Sequence, residues 1–205
     1  MGARGSKVRE QDAWVVFEDG SGQALRPPKP RTWSCIGVSS QVKVSGKGSG
    51  RVSVAGMVCA KPDERTRLIY RLLVHHPGRR GENNGFGKPD FAELLDAAHQ
   101  QLGGKIVLVW DNSTRHKDAL MRELPCRPEP VADRLPAAGL CLAYAPDLNP
   151  AEGVWANLKN DLGNLAACTV DALAGLPRTR LKKMQYRPDL LDGFIVETGL
   201  TWTPP

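Results

Sequence analysis

Short apolar runs broken by turn-forming clusters make up the first half of the chain, and longer stretches with apolar residues every three or four positions make up the second. Ala13 to Phe17 (AWVVF) has the solid apolar character of a buried strand, and Glu18-Asp19-Gly20-Ser21-Gly22 is a cluster that stops one, so a turn is expected there. Prolines hold LRPPKPRTW extended, and short strands are expected over Thr32 to Val38 and Gln41 to Val44. SGKGSGR reads as a hairpin connection, because it lacks the GxxxxGK[ST] spacing of a phosphate loop and runs into the strand-like VSVAGMVCA instead of a helix. Arg67 to His75 is a further strand, and HPGRRGENNGFGKP is a loop. From Pro89 onward Phe91, Leu94, Leu95, Ala98 and Leu102 fall at helical spacing, and Gly103-Gly104 ends that helix.

Ile106 to Trp110 (IVLVW) is apolar on both faces, as a central parallel strand covered by helices must be. Lys117 to Leu124 reads as helical, and the proline-rich PCRPEPVADRLP cannot extend it. Gly139 to Ala143 is the next strand. Helices follow over Pro150 to Leu165 and Val170 to Met184, with another helical element around Leu190 to Val196. This order predicts an α/β fold in which an antiparallel meander continues into parallel strands. It differs from a doubly wound sheet, where every strand alternates with a helix.

Composition narrows the class. With 205 residues, 41% of them hydrophobic, the chain can bury one real core, so residues 13–205 are expected as one domain after a polar segment, 1–12, expected to be poorly ordered. The longest apolar run, Ile106 to Trp110, is far short of the roughly 20 residues of a membrane span, and no signal segment opens the chain, so a cytoplasmic protein is expected. Twenty-eight Lys+Arg against 22 Asp+Glu give a formal charge of +6, which suits a polyanionic partner. Five scattered cysteines without a CxxC pair point to reduced thiols and to no zinc site. His75-His76 and His116 lack further His or Cys at useful spacing, and the serines lack a nucleophile-elbow pattern.

Candidate chemistry lies where apolar strands meet acids. Asp19 follows the first strand, Asp111 follows IVLVW, and Glu152 lies in the first turn of the helix after the strand GLCLA. Each acid has a structural explanation: Asp19-Gly20 is a hairpin dipeptide, Asp111 can cap a helix, and Glu152 falls at the capping-box position with Asn149 as N-cap and Pro150 at N1. Each also lies at an element end where α/β sheets bind ligands. Three converging carboxylates would repel one another unless a hard cation such as Mg²⁺ sat among them.

The wording around the three acids resembles the DDE endonuclease domain of bacterial insertion-sequence transposases related to mariner elements. The likeness is carried by VVFEDGSGQALRPPKPRTWS, by KIVLVWDNSTRH and above all by AYAPDLNPAEGVWANLK, where Pro146, Leu148, Asn149, Pro150, Glu152, Trp155 and Lys159 match the family pattern. It continues more weakly through GKGSGRVSVAGMVC and RTRLKKMQYRPDLLDGFIVETGL. The resemblance implies a single-domain, ribonuclease H-like mixed sheet flanked by helices, with Asp19, Asp111 and Glu152 binding two Mg²⁺ ions, for which Mn²⁺ can substitute. It also implies a DNA endonuclease and strand transferase acting at the ends of an insertion sequence. The implied partner is double-stranded DNA, with a homodimer or a second protein supplying the helix-turn-helix region that family members carry before this domain.

This chain departs from the family in having Gly20 where an acid commonly follows the first aspartate, and in the irregular stretch 125–139. The competing reading is a catalytically silent remnant that binds DNA or a full-length transposase. Candidate DNA contacts are Arg26, Lys29 and Arg31 on the proline-rich stretch, Lys159, and Arg178, Arg180, Lys182 and Lys183 on the tail helix. Trp155, with Val154, Leu158, Leu162 and Leu165, forms an apolar helical stripe that reads as core.

Overall fold

A computed structural model of the chain describes residues 12–24, 35–37, 50–76, 85–110, 137–141, 146–162 and 169–200. Among these, five strands form one mixed sheet in the order β3-β2-β1-β4-β5. The first three, β1 (Trp14–Ala24), β2 (Arg51–Lys61) and β3 (Glu64–His75), are antiparallel. β2 and β3 are joined through Pro62 and Asp63, whose left-handed φ of 62° an aspartate tolerates better than most residues. Parallel pairing needs a crossover. Helix α1 (Lys88–Leu102) supplies it, and β4 (Ile106–Trp110) and β5 (Ala137–Cys141) then run parallel to β1.

Alternation along the strands sorts the core into two layers. Even positions of β1, Trp14 and Val16, join Met57, Cys59 and Ile69 under the apolar stripe Phe91, Leu94, Leu95, Ala98 and Leu102 of α1. On the opposite face Phe17, Val54, Val58 and Leu68 pack beneath α2 (Pro150–Leu162), α3 (Val170–Gln185) and α4 (Pro188–Glu197). β4 contributes Ile106 and Leu108 to one layer and Val109 to the other, as its unbroken apolar sequence requires. The architecture is the expected ribonuclease H-like one.

Three local expectations change. β1 does not turn at Glu18–Gly22: it continues to Ala24, paired with β2 from Val15↔Ala60 to Ala24↔Arg51. Turn propensity at Asp19-Gly20 is overridden by a ladder that runs through both residues. Asp19 therefore lies inside the strand, opposite Gly56, and does not end it. Within the expected strand Thr32 to Val38, the described residues Cys35–Gly37 are not strand: Ile36 and Gly37 lie in a turn, and Gly37 takes a φ of 82°. β5 begins two residues before the expected Gly139. The expected strand Gln41 to Val44, the helix Lys117 to Leu124 and the end of the helix expected to reach Leu165 lie outside the described residues.

Candidate active site where β1 outruns β4

Among the described residues the β1–β4 ladder ends at Phe17↔Val109, while β1 runs on for another seven residues, Glu18 to Ala24. Asp19 stands in this step, half-buried. Its oxygens face two donors: the Gly20 backbone N–H donates to Oδ1 at 2.7 Å and the Trp155 indole Nε1–H donates to Oδ2 at 3.0 Å. Glu18 points by alternation into the α1 layer and is 2% exposed, so the two adjacent acids serve opposite faces of the sheet.

Trp155 reaches Asp19 because its helix lies close on the sheet. Val154, Trp155, Leu158 and Leu162 form the buried stripe of α2, as expected. The indole crosses Gly56, the cross-strand partner of Asp19, where a Cβ would come within 2.9 Å of Trp155 Cη2. A residue with a side chain at 56 would push the ring off the strand. Behind the helix, Gly153 allows the same closeness to α4, since a Cβ there would lie 2.6 Å from Phe194 Cδ1.

Glu152 occupies the first turn of α2. Asn149 caps the helix, its Oδ1 accepting from the Ala151 N–H at 3.1 Å. The return bond of a capping box is missing: Glu152 is exposed, and among the described residues no hydrogen bond or ion pair engages its carboxylate. It precedes Trp155 by three positions, a spacing at which side chains are neighbours on a helix. The Trp155–Asp19 bond thus joins the strand bearing one acid to the helix turn bearing the other.

The third expected acid, Asp111, follows β4 directly but lies outside the described residues, as do Arg26, Lys29 and Arg31 and His116. Among the described residues no group of three or more His, Cys, Asp or Glu is placed to hold a metal ion.

The expected cationic residues fall into two sets. Lys159 is exposed on α2, two turns beyond Glu152. Arg178, Lys182 and Lys183 are exposed on α3, which is tied to β3 by the Tyr70 hydroxyl donating to the Arg178 carbonyl at 3.3 Å and by Gln185 Nε2 donating to the Leu68 carbonyl at 2.7 Å. Burial pushes the Tyr70 phenol up, and Lys182 and Arg178 pull it partly back. Arg180 is engaged by Asp161 at 3.6 Å. These α3 residues lie over the β3 edge, to one side of Asp19. Elsewhere, His75 Nε2 meets Ser53 Oγ at 2.9 Å and His76 lies 3.7 Å from Asp171, structural contacts of the kind expected.

The sequence reading missed the polar role of Trp155. Its apolar stripe explains the ring, and the indole N–H needed a partner that only the folded sheet reveals. The one signal in the sequence was a tryptophan one helical turn after the acid.

No family model matches the chain, and no curated protein does. Solved structures do. The Mos1 transposase paired-end complex with left transposon end aligns at a TM-score of 0.55 and 12% identity, over 97% of this chain and 60% of that one. The mariner Mos1 paired end complex with Mg aligns at 0.54 and 14%, over 98% and 60%, and the Mos1 strand transfer complex at 0.53 and 12%, over 98% and 59%. The chain spans about 60% of the length of these proteins. The likeness covers nearly the whole chain, which shares its fold with the Mos1 mariner transposase.

Proposed function

We propose that this chain is the catalytic domain of a DDE-type transposase, a Mg²⁺-dependent DNA endonuclease and strand transferase acting at the ends of a bacterial insertion sequence, with Asp19, Asp111 and Glu152 as metal ligands. The observation that carries this reading is the Trp155–Asp19 hydrogen bond, which seats the helix turn of Glu152 against the strand of Asp19. Its neighbours support it: β1 and β4 are adjacent, parallel and paired at Phe17↔Val109, and the residues two beyond these are Asp19 and Asp111. Relatives in fold include one described as a complex with Mg and another as a complex with left transposon end.

The donor set fits the ion. Carboxylate oxygens are the hard ligands that Mg²⁺ takes, and an exposed Glu152 with no competing cation among the described residues is open to it. Bound there, two Mg²⁺ ions, or Mn²⁺ in their place, supply Lewis acidity for in-line displacement at phosphorus. The chain's own part is to hold Asp19 and Glu152 at fixed separation through Trp155 and to grip the DNA backbone through Lys159, Arg178, Lys182 and Lys183. Arg180 on α3, and Arg26, Lys29 and Arg31 outside the described residues, are further candidate contacts to the DNA backbone.

Calorimetric titration with Mn²⁺ of the parent and of Asp111→Ala tests this reading. Saturable binding by the parent alone is the expected result, followed by metal-dependent nicking of duplex DNA. Equal or absent binding in both proteins sinks it and leaves a DNA-binding remnant without turnover.

A further inference from the structure

We propose that Trp155 is a positioning residue for the metal site, its indole N–H fixing the rotation of the Asp19 carboxylate, with Gly56 kept side-chain-free so that the ring can reach it. The inference rests on the metal-site reading above and adds to it the group that sets the geometry of one ligand. A carboxylate on a strand turns about its terminal torsion with little resistance. Here each oxygen faces a donor of fixed direction, the Gly20 N–H on Oδ1 and the Trp155 N–H on Oδ2. A carboxylate oxygen that accepts one hydrogen bond still has a second lone pair to offer a cation. The indole donor is rigid: the ring is 1% exposed, packed over Gly56 at a distance that leaves no room for a Cβ, and carried on the same helix turn as Glu152. Rotation of Asp19 and approach of Glu152 are thus set by one side chain. Hydrogen bonds that orient a metal's carboxylate ligands commonly change affinity or activity about 10- to 100-fold when removed.

The test uses the full 205-residue chain with Mn²⁺ as the probe. Replacing Trp155 by β-(3-benzothienyl)alanine keeps the bicyclic shape and exchanges the N–H for sulfur, while 5-fluorotryptophan at the same position keeps the donor. The benzothienyl protein is expected to bind Mn²⁺ about 10- to 100-fold more weakly than the parent, and the fluorotryptophan protein as tightly as the parent. The metal-free melting temperature of the benzothienyl protein should fall by no more than about 10 °C, the worth of one hydrogen bond to a carboxylate in a chain of this size, whereas a helix shifted off the sheet would cost more. Gly56→Ala, which displaces the ring, is expected to reproduce the weakening and to add nothing further in the benzothienyl background. If Gly56→Ala does not fold, the isosteric pair decides alone.

Parent-like Mn²⁺ affinity in the benzothienyl protein overturns the proposal, and so does a loss of affinity accompanied by a fall in the metal-free melting temperature beyond about 10 °C. Asp19→Asn run alongside tells this failure from that of the underlying reading. If Asp19→Asn abolishes binding while the benzothienyl protein binds normally, only the positioning role is lost. If the parent binds no Mn²⁺, or Asp19→Asn binds it as the parent does, the metal site falls and the positioning role with it.

Discussion

Glu18 and Asp19 are adjacent acids with opposite fates, because a strand sends neighbours to opposite faces. Glu18 is enclosed under α1, whereas Asp19 meets a tryptophan donor on the opposite face. Asp19→Asn should therefore lose Mn²⁺ binding while keeping the fold: its amide oxygen can still accept from Trp155, its NH2 comes to face the Gly20 N–H, and urea denaturation should show a loss of about 1–3 kcal/mol. Glu152→Gln should lose metal binding as well and cost only about 0.3–1 kcal/mol, the value of an exposed carboxylate in a helix's first turn. Burial holds the Cys59 thiol far above its ordinary range, against the partial pull of Arg67. The unfolded chain ionises at its ordinary value near 8.5, so this thiol's contribution to stability is intact below that pH and declines above it. Alkylation followed by mass spectrometry should label exposed Cys35 in the native protein and Cys59 only after unfolding. At this scale the sequence named Asp19 and Glu152 through their motif. It was silent on the Trp155 donor, because a bond between residues 136 positions apart has no local signature.

Hydrophobic period placed most elements. The apolar stripe of α1 and the two-sided apolarity of β4 depend on burial alone, and both appear where periodicity sets them. The turn expected at Glu18–Gly22 did not form, since local propensity is weaker than a ladder continued by β2. Glycines in the helices show the same contest between local preference and packing. Gly→Ala in a helix ordinarily stabilises by about 0.5–1 kcal/mol. Gly175→Ala in α3, with nothing within 4 Å of the new methyl group, should gain in that range. Gly153→Ala in α2 should instead lose about 1–3 kcal/mol, because the methyl group meets the Phe194 ring. Thermal melts of the two variants should move in opposite directions. Equal shifts would mean that α4 does not press on α2 as described.

Across the whole molecule, the formal charge of +6 indicates only the sign of a partner, and folding decides how the cations are shared. Arg180 is occupied by Asp161, while Lys159, Arg178, Lys182 and Lys183 remain exposed. Neutralising those four to Gln should weaken binding to duplex DNA of any sequence and flatten its salt dependence by about 0.9 for each phosphate left without its cation, as read by fluorescence anisotropy over a salt series. Arg180→Gln should change the slope less. Fold order was readable from the chain because both core layers are written in strand alternation and helical stripes. The seating of the last two helices was not, since it depends on close approaches and on long-range ties such as Thr66 to Asp192 and Gln185 to Leu68. One of those approaches bears on heredity. The ring of Phe194 lies in the hollow left by Gly153, directly behind the turn that carries Glu152. A nonsense mutation or frameshift anywhere upstream of codon 194 removes that support from a turn encoded far earlier. Damage late in the reading frame then reaches back to that turn, and a truncated product that keeps both Asp19 and Glu152 still lacks the packing behind Glu152.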